Sequence, residues 1–186
     1  MKANNERGFS LIETLLATML LVSGVVATAQ MFVMATRSNF AAQRGTFTAT
    51  LAQEKMEQLR GLTWGFDPLN LPVTDLATNI AVDPPAPGGV GLSPSPPNAL
   101  SANVDGYVDY VDRFGHSLGG GVTPPADAAY VRRWSVEPLP TNPNNTLILQ
   151  VLAFAVNDRV RDGAGPVLDR MNDETRLVSV KTRKAR

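Results

Sequence analysis

GFSLIETLLATMLLVSGVVATAQMFVMAT, residues 8–36, is the stretch on which the reading of this chain turns. From Thr14 to Thr36 there are 23 residues and no charge. As a helix that run spans roughly 35 Å at about 1.5 Å per residue. A bilayer's hydrocarbon core is about 30 Å thick, so the run is long enough to cross it. Lys2 and Arg7 precede it, which predicts a cytoplasmic N-terminus and export of the remainder. Glu13 interrupts the apolar pattern near its start. A carboxylate beside hydrocarbon is costly and calls for a cationic partner. Arg7 is one candidate. The α-amino group of Phe9, created if the bond after Gly8 is cut, is a better one, because it lies one helical turn from Glu13.

Outside this stretch, composition excludes more than it assigns. The chain has 186 residues, about one domain's worth. Seventeen Lys and Arg balance seventeen Asp and Glu, so no global field selects nucleic acid or cations. The absence of Cys removes disulfides, thiolate metal sites and Cys nucleophiles. With His116 as the single histidine, a His-rich metal site is excluded too. Apolar residues make up 44%, enough for a core, while 14 Pro and 15 Gly predict long irregular segments.

Gly8-Phe9-Ser10-Leu11-Ile12-Glu13, after a short basic leader and before an apolar helix, resembles the prepilin-type signal of type IV pilins and type II secretion pseudopilins. The resemblance implies cleavage between Gly8 and Phe9 by a prepilin peptidase and methylation of the new N-terminal Phe9. It implies that the apolar segment is retained as membrane anchor and filament core. It gives Glu13 the assembly role, pairing with the N-terminal amine of a neighbouring subunit. Two plainer readings stand beside it. An ordinary secretory signal would use Ala27-Thr28-Ala29 as its small-residue cleavage site, but leaves Glu13 unexplained. An uncleaved anchor explains the span but not Gly8 before Phe9.

The helix is expected to continue to about Arg60. Residues 37–60 contain no Pro, and Phe40, Phe47, Leu51, Met56 and Leu59 form one apolar stripe. Glu57 and Arg60 are spaced for an i,i+3 ion pair, and Gly61 is a stop. Ser23, Gly24, Ala27 and Thr28 have small-xxx-small spacings that permit close helix contact; ordinary membrane-helix composition explains them equally. Residues 62–103 hold Pro84, Pro85, Pro87, Pro94, Pro96 and Pro97, with no charge between Asp83 and Asp105. They read as a variable, partly disordered connection, with Trp64 and Phe66 anchoring it to the core. Strand patterns follow at Tyr107–Val111, Tyr130–Glu137, Leu147–Val156 and Arg176–Arg183. Leu147–Val156 is apolar enough for a buried central strand. Gly119-Gly120-Gly121, Pro140–Asn145 and Asp158–Asn172 read as turns.

The expected fold is α+β, a pilin-like lollipop with a long helix packed on an antiparallel sheet of about four strands. Its parts are a leader 1–8, a membrane and filament-core helix 9–36, an amphipathic half 37–61 and a periplasmic head 62–186. No catalytic constellation, P-loop or dinucleotide fingerprint is present, so no enzyme and no cofactor is expected. The acidic residues between Asp158 and Glu174 suggest calcium, but interleaved arginines favour a self-paired loop without metal. Arg176, Lys181, Arg183, Lys184 and Arg186 make a basic C-terminus. An edge strand guarded by charge is preferred there to a DNA-binding patch, so no nucleic acid is expected.

Within the family, residues 49–60 resemble the helix segment of PilV-type minor pilins and of the I-type minor pseudopilin of type II secretion. Tyr130–Val136 resembles the following PilV-like strand. The resemblance implies a minor pilin in a priming or tip complex. Its partners would be prepilin peptidase, other minor and major pilin subunits, and the inner membrane. A tip adhesin binding through 62–103 and an exported enzyme on a conventional signal are the readings from other classes.

Overall fold

The structure, a computed structural model, describes residues 10–156 and 174–183. The leader, the Gly8–Phe9 junction, the acidic loop up to Asp173, and Lys184 and Arg186 lie outside the described residues. The chain divides into two compact units, Met1–Ala42 and Gln43–Arg186.

Helix α1, Leu11–Gly61, has no Pro and one internal Gly pair widely spaced along it. Ser10 starts it. The Ser10 carbonyl accepts from the amides of Glu13 at 3.0 Å and Thr14 at 3.2 Å. Its hydroxyl accepts from the Glu13 amide at 3.3 Å, satisfying a donor that the first helical turn leaves orphaned. Gly61 ends the helix as expected, and the Glu57–Arg60 pair forms at 3.1 Å on the exposed surface.

In the second unit the last part of α1 lies on a five-stranded antiparallel sheet. Its strands are β5 (Val108–Val111), β6 (Ser117–Gly120), β7 (Tyr130–Pro138), β8 (Thr146–Ala155) and β9 (Thr175–Thr182), in the order β6-β5-β7-β8-β9. Thr48, Leu51, Ala52, Lys55, Met56 and Leu59 are the buried face of α1, a 3–4–7 spacing that brings them to one side. Leu51, Ala52, Met56 and Leu59 form one core with Trp134 and Val136 of β7 and Leu147, Leu149, Val151 and Ala153 of β8. Each large side chain so buried contributes on the order of 1.5–3 kcal/mol. Phe47 packs at the margin of this core, tilted against Tyr130 at 4.8 Å, whereas Phe40 is exposed. A second cluster, Val108, Tyr110, Ala128, Val131 and Phe154, is packed by Leu118, Leu152 and Val156.

Two expectations are corrected. The sheet has five strands, not about four, because Ser117–Gly120 is an edge strand rather than part of a glycine turn. A Cβ on Gly120 would lie 2.7 Å from the Val108 carbonyl oxygen and 2.8 Å from the Ala81 Cβ; the strand reaches β5 only because it lacks side-chain volume there. β8 is paired on both sides, by β7 and β9, and is the buried interior strand that its apolar run predicts.

Residues 62–103, expected to be a partly disordered connection, are folded. They form β1 (Trp64–Phe66) with β2 (Pro72–Thr74), and β3 (Thr78–Asn79) with β4 (Ala86–Pro87). The Pro-rich stretch is tied to the sheet. The Ser95 amide donates to the Val136 carbonyl at 2.9 Å, the Val136 amide to the Ser95 hydroxyl at 3.1 Å, and the Tyr107 hydroxyl to the carbonyls of Ser93 and Pro94. Ile80, Leu92 and Ala99 from this stretch are core residues. Proline content removes backbone donors but not anchoring by carbonyls and scattered side chains.

Gly120→Val is expected to lower stability by about 1–3 kcal/mol through overpacking. Gly65→Ala, where a Cβ meets open space, is expected to be near neutral. Chemical unfolding of the full chain in detergent micelles reads both; equal effects would overturn the account of β6.

Candidate functional site

Two features stand apart. The first is the surface of α1 in the first unit. Every described residue from Ser10 to Ala42 is exposed, including Leu11, Ile12, Leu15, Leu16, Leu20 and Phe32. One helix of this chain is thus long and apolar enough to cross a membrane, and it lies near the N-terminus. Five of its hydroxyls donate to carbonyls of the same helix. Thr14 donates to the Leu11 carbonyl, Thr18 to Leu15, Ser23 to Met19, Thr28 to Gly24 and Val25, and Thr36 to Phe32, all within 2.8–3.1 Å. A hydroxyl bonded to its own helix carries little polar cost into an apolar medium. Glu13 sits on the first turn of this helix, where its charge meets the positive end of the helix dipole. Its spacing from Ser10 is also that of a capping box, a local role that the sequence reading did not consider.

The second feature was not foreseen. Lys55 and Asp109 are each fully buried and form an ion pair at 2.8 Å. Arg132 holds the same carboxylate in a fork, Nε to Oδ1 at 2.9 Å and Nη2 to Oδ2 at 2.7 Å, a geometry specific to arginine. Its Nη1 reaches Glu54 at 3.2 Å. Lys55 Nζ also donates to Gln58 Oε1 at 2.6 Å and to the Ile80 carbonyl, and lies 4.9 Å from the Trp134 ring centre. Burial lowers the Lys55 pKa to about 8, against the raising effect of Asp109. Burial also opposes the charge on Arg132, but the hydrogen bonds and charge of Asp109 outweigh it and raise that pKa. The formal charges of the four groups sum to zero. The network joins helix to sheet: Lys55 and Glu54 come from α1, Asp109 from β5 and Arg132 from β7. The available signal was Lys55 itself, a charge four residues from Leu51 and from Leu59 on the buried stripe.

The other candidates fall into place as structure. His116 lies in the exposed turn between β5 and β6, its Nδ1 3.0 Å from Asp112 Oδ2. Asp112 Oδ1 accepts the Phe114 and His116 amides, which makes this a turn-building contact. Among the described residues no group of three or more His, Cys, Asp or Glu side chains is placed to hold a metal. Trp64 anchors its hairpin as expected, with Nε1 donating to the Asn145 carbonyl at 3.3 Å.

In the described part of the basic C-terminus, β9 is an edge strand as expected, but its cations do more than guard that edge. Lys181 Nζ donates to the Arg60 and Leu62 carbonyls and closes the end of α1. Arg183 stacks 3.6 Å from the Trp64 ring centre and donates to the carbonyls of Asn144, Gly65 and Val73 and to the Thr74 hydroxyl. These cations are used internally. The outward residues Val178 and Val180 are apolar and exposed.

The Lys55 pKa sets a pH window. Its folded value lies below the ordinary 10.5, so between about pH 8 and 10.5 the unfolded chain binds more protons and stability rises with pH. Wild type is expected to gain on Lys55→Met by up to about 1.4 kcal/mol per pH unit across that window. Urea unfolding of both chains at pH 7.5 to 10 measures this, and a pH-independent difference would refute it. Asp109→Ala, which strands two buried cations, is expected to cost about 3–5 kcal/mol.

No family model, no curated protein and no solved structure matches this chain.

Proposed function

We propose that this chain is a minor pilin of a type IV pilus, matured by prepilin peptidase and acting in a priming or tip complex. The observation that carries this reading is the run Gly8–Glu13, whose last three residues open an apolar helix that is exposed through Ala42. Such a surface needs lipid or other helices around it. Before assembly the helix would lie in the inner membrane with the head in the periplasm. On assembly it would leave lipid and pack against other subunits' helices. Glu13 would pair with a neighbour's methylated Phe9 amine and so set the register between helices. The minor pseudopilin of type II secretion is the runner-up, favoured by the same helix segment at residues 49–60.

The deciding experiment is the intact mass of the N-terminal peptide from chain made together with prepilin peptidase. Loss of residues 1–8 with one methyl group on Phe9 is expected. Cleavage after Ala29, or no cleavage, would overturn the proposal. Gly8→Glu is expected to block this processing, and a normally shortened product would count against the signal. Glu13→Ala is expected to be cleaved normally but to be depleted at least several-fold from sheared filaments; wild-type recovery would remove Glu13 from assembly.

A further inference from the structure

Arg132 and Arg133 are neighbours on β7 and point to opposite faces of the sheet. Arg132 is neutralised by Asp109 and Glu54. Arg133, 6% exposed, has no carboxylate in ion-pair reach among the described residues. Its hydrogen-bond partners are neutral. Nε and Nη2 donate to Asn103 Oδ1 at 3.1 and 2.8 Å, and Nη1 to the Leu100 carbonyl at 3.3 Å. A guanidinium has five N–H donors, so one on Nη1 and one on Nη2 remain unused among the described residues. The group is held in place from one side by Asn103, whose own amide donates to the Val122 carbonyl at 3.0 Å. The Phe154 ring lies 5.1 Å away on another side.

This fixed cation lines a cavity of about 180 Å³ together with Leu100, Ser101, Leu152, Phe154, Glu174 and Arg176. A water needs only about 10–15 Å³ on this measure, so the space admits a small organic group. Two cations against one acid line it. Arg176 donates to the neutral Gln150, and Glu174 makes no ion pair with either arginine among the described residues. A buried charge without a counter-ion is costly, and a guanidinium with two spare donors matches a carboxylate in geometry. Leu100, Leu152 and Phe154 supply apolar wall for the atoms behind that carboxylate. Burial also lowers the pKa of Arg133, the cost that a bound anion would relieve.

We propose that the cavity between Arg133 and Arg176 on the outer face of β7–β9 is a binding site for a carboxylate carried on a short apolar body. The site lies in the second unit and does not depend on the N-terminal signal. Arg133 supplies the pair of donors, Arg176 the second charge at the mouth, and Leu152 and Phe154 the apolar contact. The chemistry fits a free short-chain acid and a glutamate side chain of a protein partner alike, and the test separates them.

The test uses the full chain in neutral detergent micelles, isotope-labelled, at constant ionic strength. Butyrate, acetate and butylammonium are titrated while the Arg133 Nε–H and the Leu152 methyl resonances are followed. Saturable shifts with butyrate are expected, roughly tenfold tighter than with acetate because two further methylenes are buried, and none with butylammonium. Arg176→Gln, at an exposed position, is expected to weaken butyrate binding several-fold with the spectrum otherwise preserved. Arg133→Gln is expected to abolish it, and Arg133→Lys to restore only part. A capped pentapeptide with a central glutamate is the second arm. Binding as tight as butyrate points to a protein carboxylate, and binding of butyrate alone points to a free acid. Failure of both to shift either resonance at 100 mM, or equal shifts with butyrate and butylammonium, would overturn the proposal. Failure here leaves the N-terminal mass unchanged, so the two proposals fall separately.

Discussion

The second unit is organised around one buried carboxylate. Asp109 receives Lys55 from the helix and Arg132 from the neighbouring strand, and Arg132 passes on to Glu54, again on the helix. Apolar contacts between a helix and a sheet tolerate small slides and rotations, since area is nearly conserved. Directional bonds from two successive helix residues, Glu54 and Lys55, to two adjacent strands do not. The network therefore selects one register for the end of α1 among those the apolar stripe would allow. It also draws in the segment after the helix, because Lys55 donates to the carbonyl of Ile80. Replacing such a network with apolar groups can be neutral in energy while removing one partner is costly; its weight lies in specificity of packing.

The same economy governs the far end of the chain. Lys181 on the last strand and Arg183 just after it bind the helix terminus and the first hairpin. They join the beginning and end of the second unit through charge-assisted bonds to carbonyls, groups that a Pro-rich and Gly-rich segment still has in full. Order in residues 62–103 follows from this. The segment has few ladder bonds of its own, and its conformation is imposed by Ser95, Tyr107 and Arg183 reaching across to it or from it.

The first unit presents the opposite physics. Its described residues through Ala42 are all exposed, and five of its hydroxyls are turned onto their own backbone. Whatever surrounds that surface supplies the free energy that the chain alone does not, and the proposed life of the protein, first in lipid and then among other helices, is a proposal about those surroundings. The head, where Arg133 is buried with no ion pair among the described residues, is where specific recognition would reside.

The sequence by itself determined the helix, its Gly61 stop, the Glu57–Arg60 pair and four of the five strands of the main sheet, because each is written in local periodicity and in residues with strong conformational preferences. Tyr130–Glu137 even shows correctly which residues share a face, since side chains alternate with a period of two. Three things were decided only by the tertiary structure. The fifth strand was hidden because a glycine run has no side-chain pattern, and its pairing rests on the close approach at Gly120. The order of residues 62–103 was hidden because its anchors lie far away in sequence. The partners of Lys55, Arg133, Lys181 and Arg183 were hidden because a charged residue reads as surface until the fold places a carboxylate, a carbonyl or nothing opposite it; desolvation and pairing are properties of three-dimensional neighbours, not of the chain's local order.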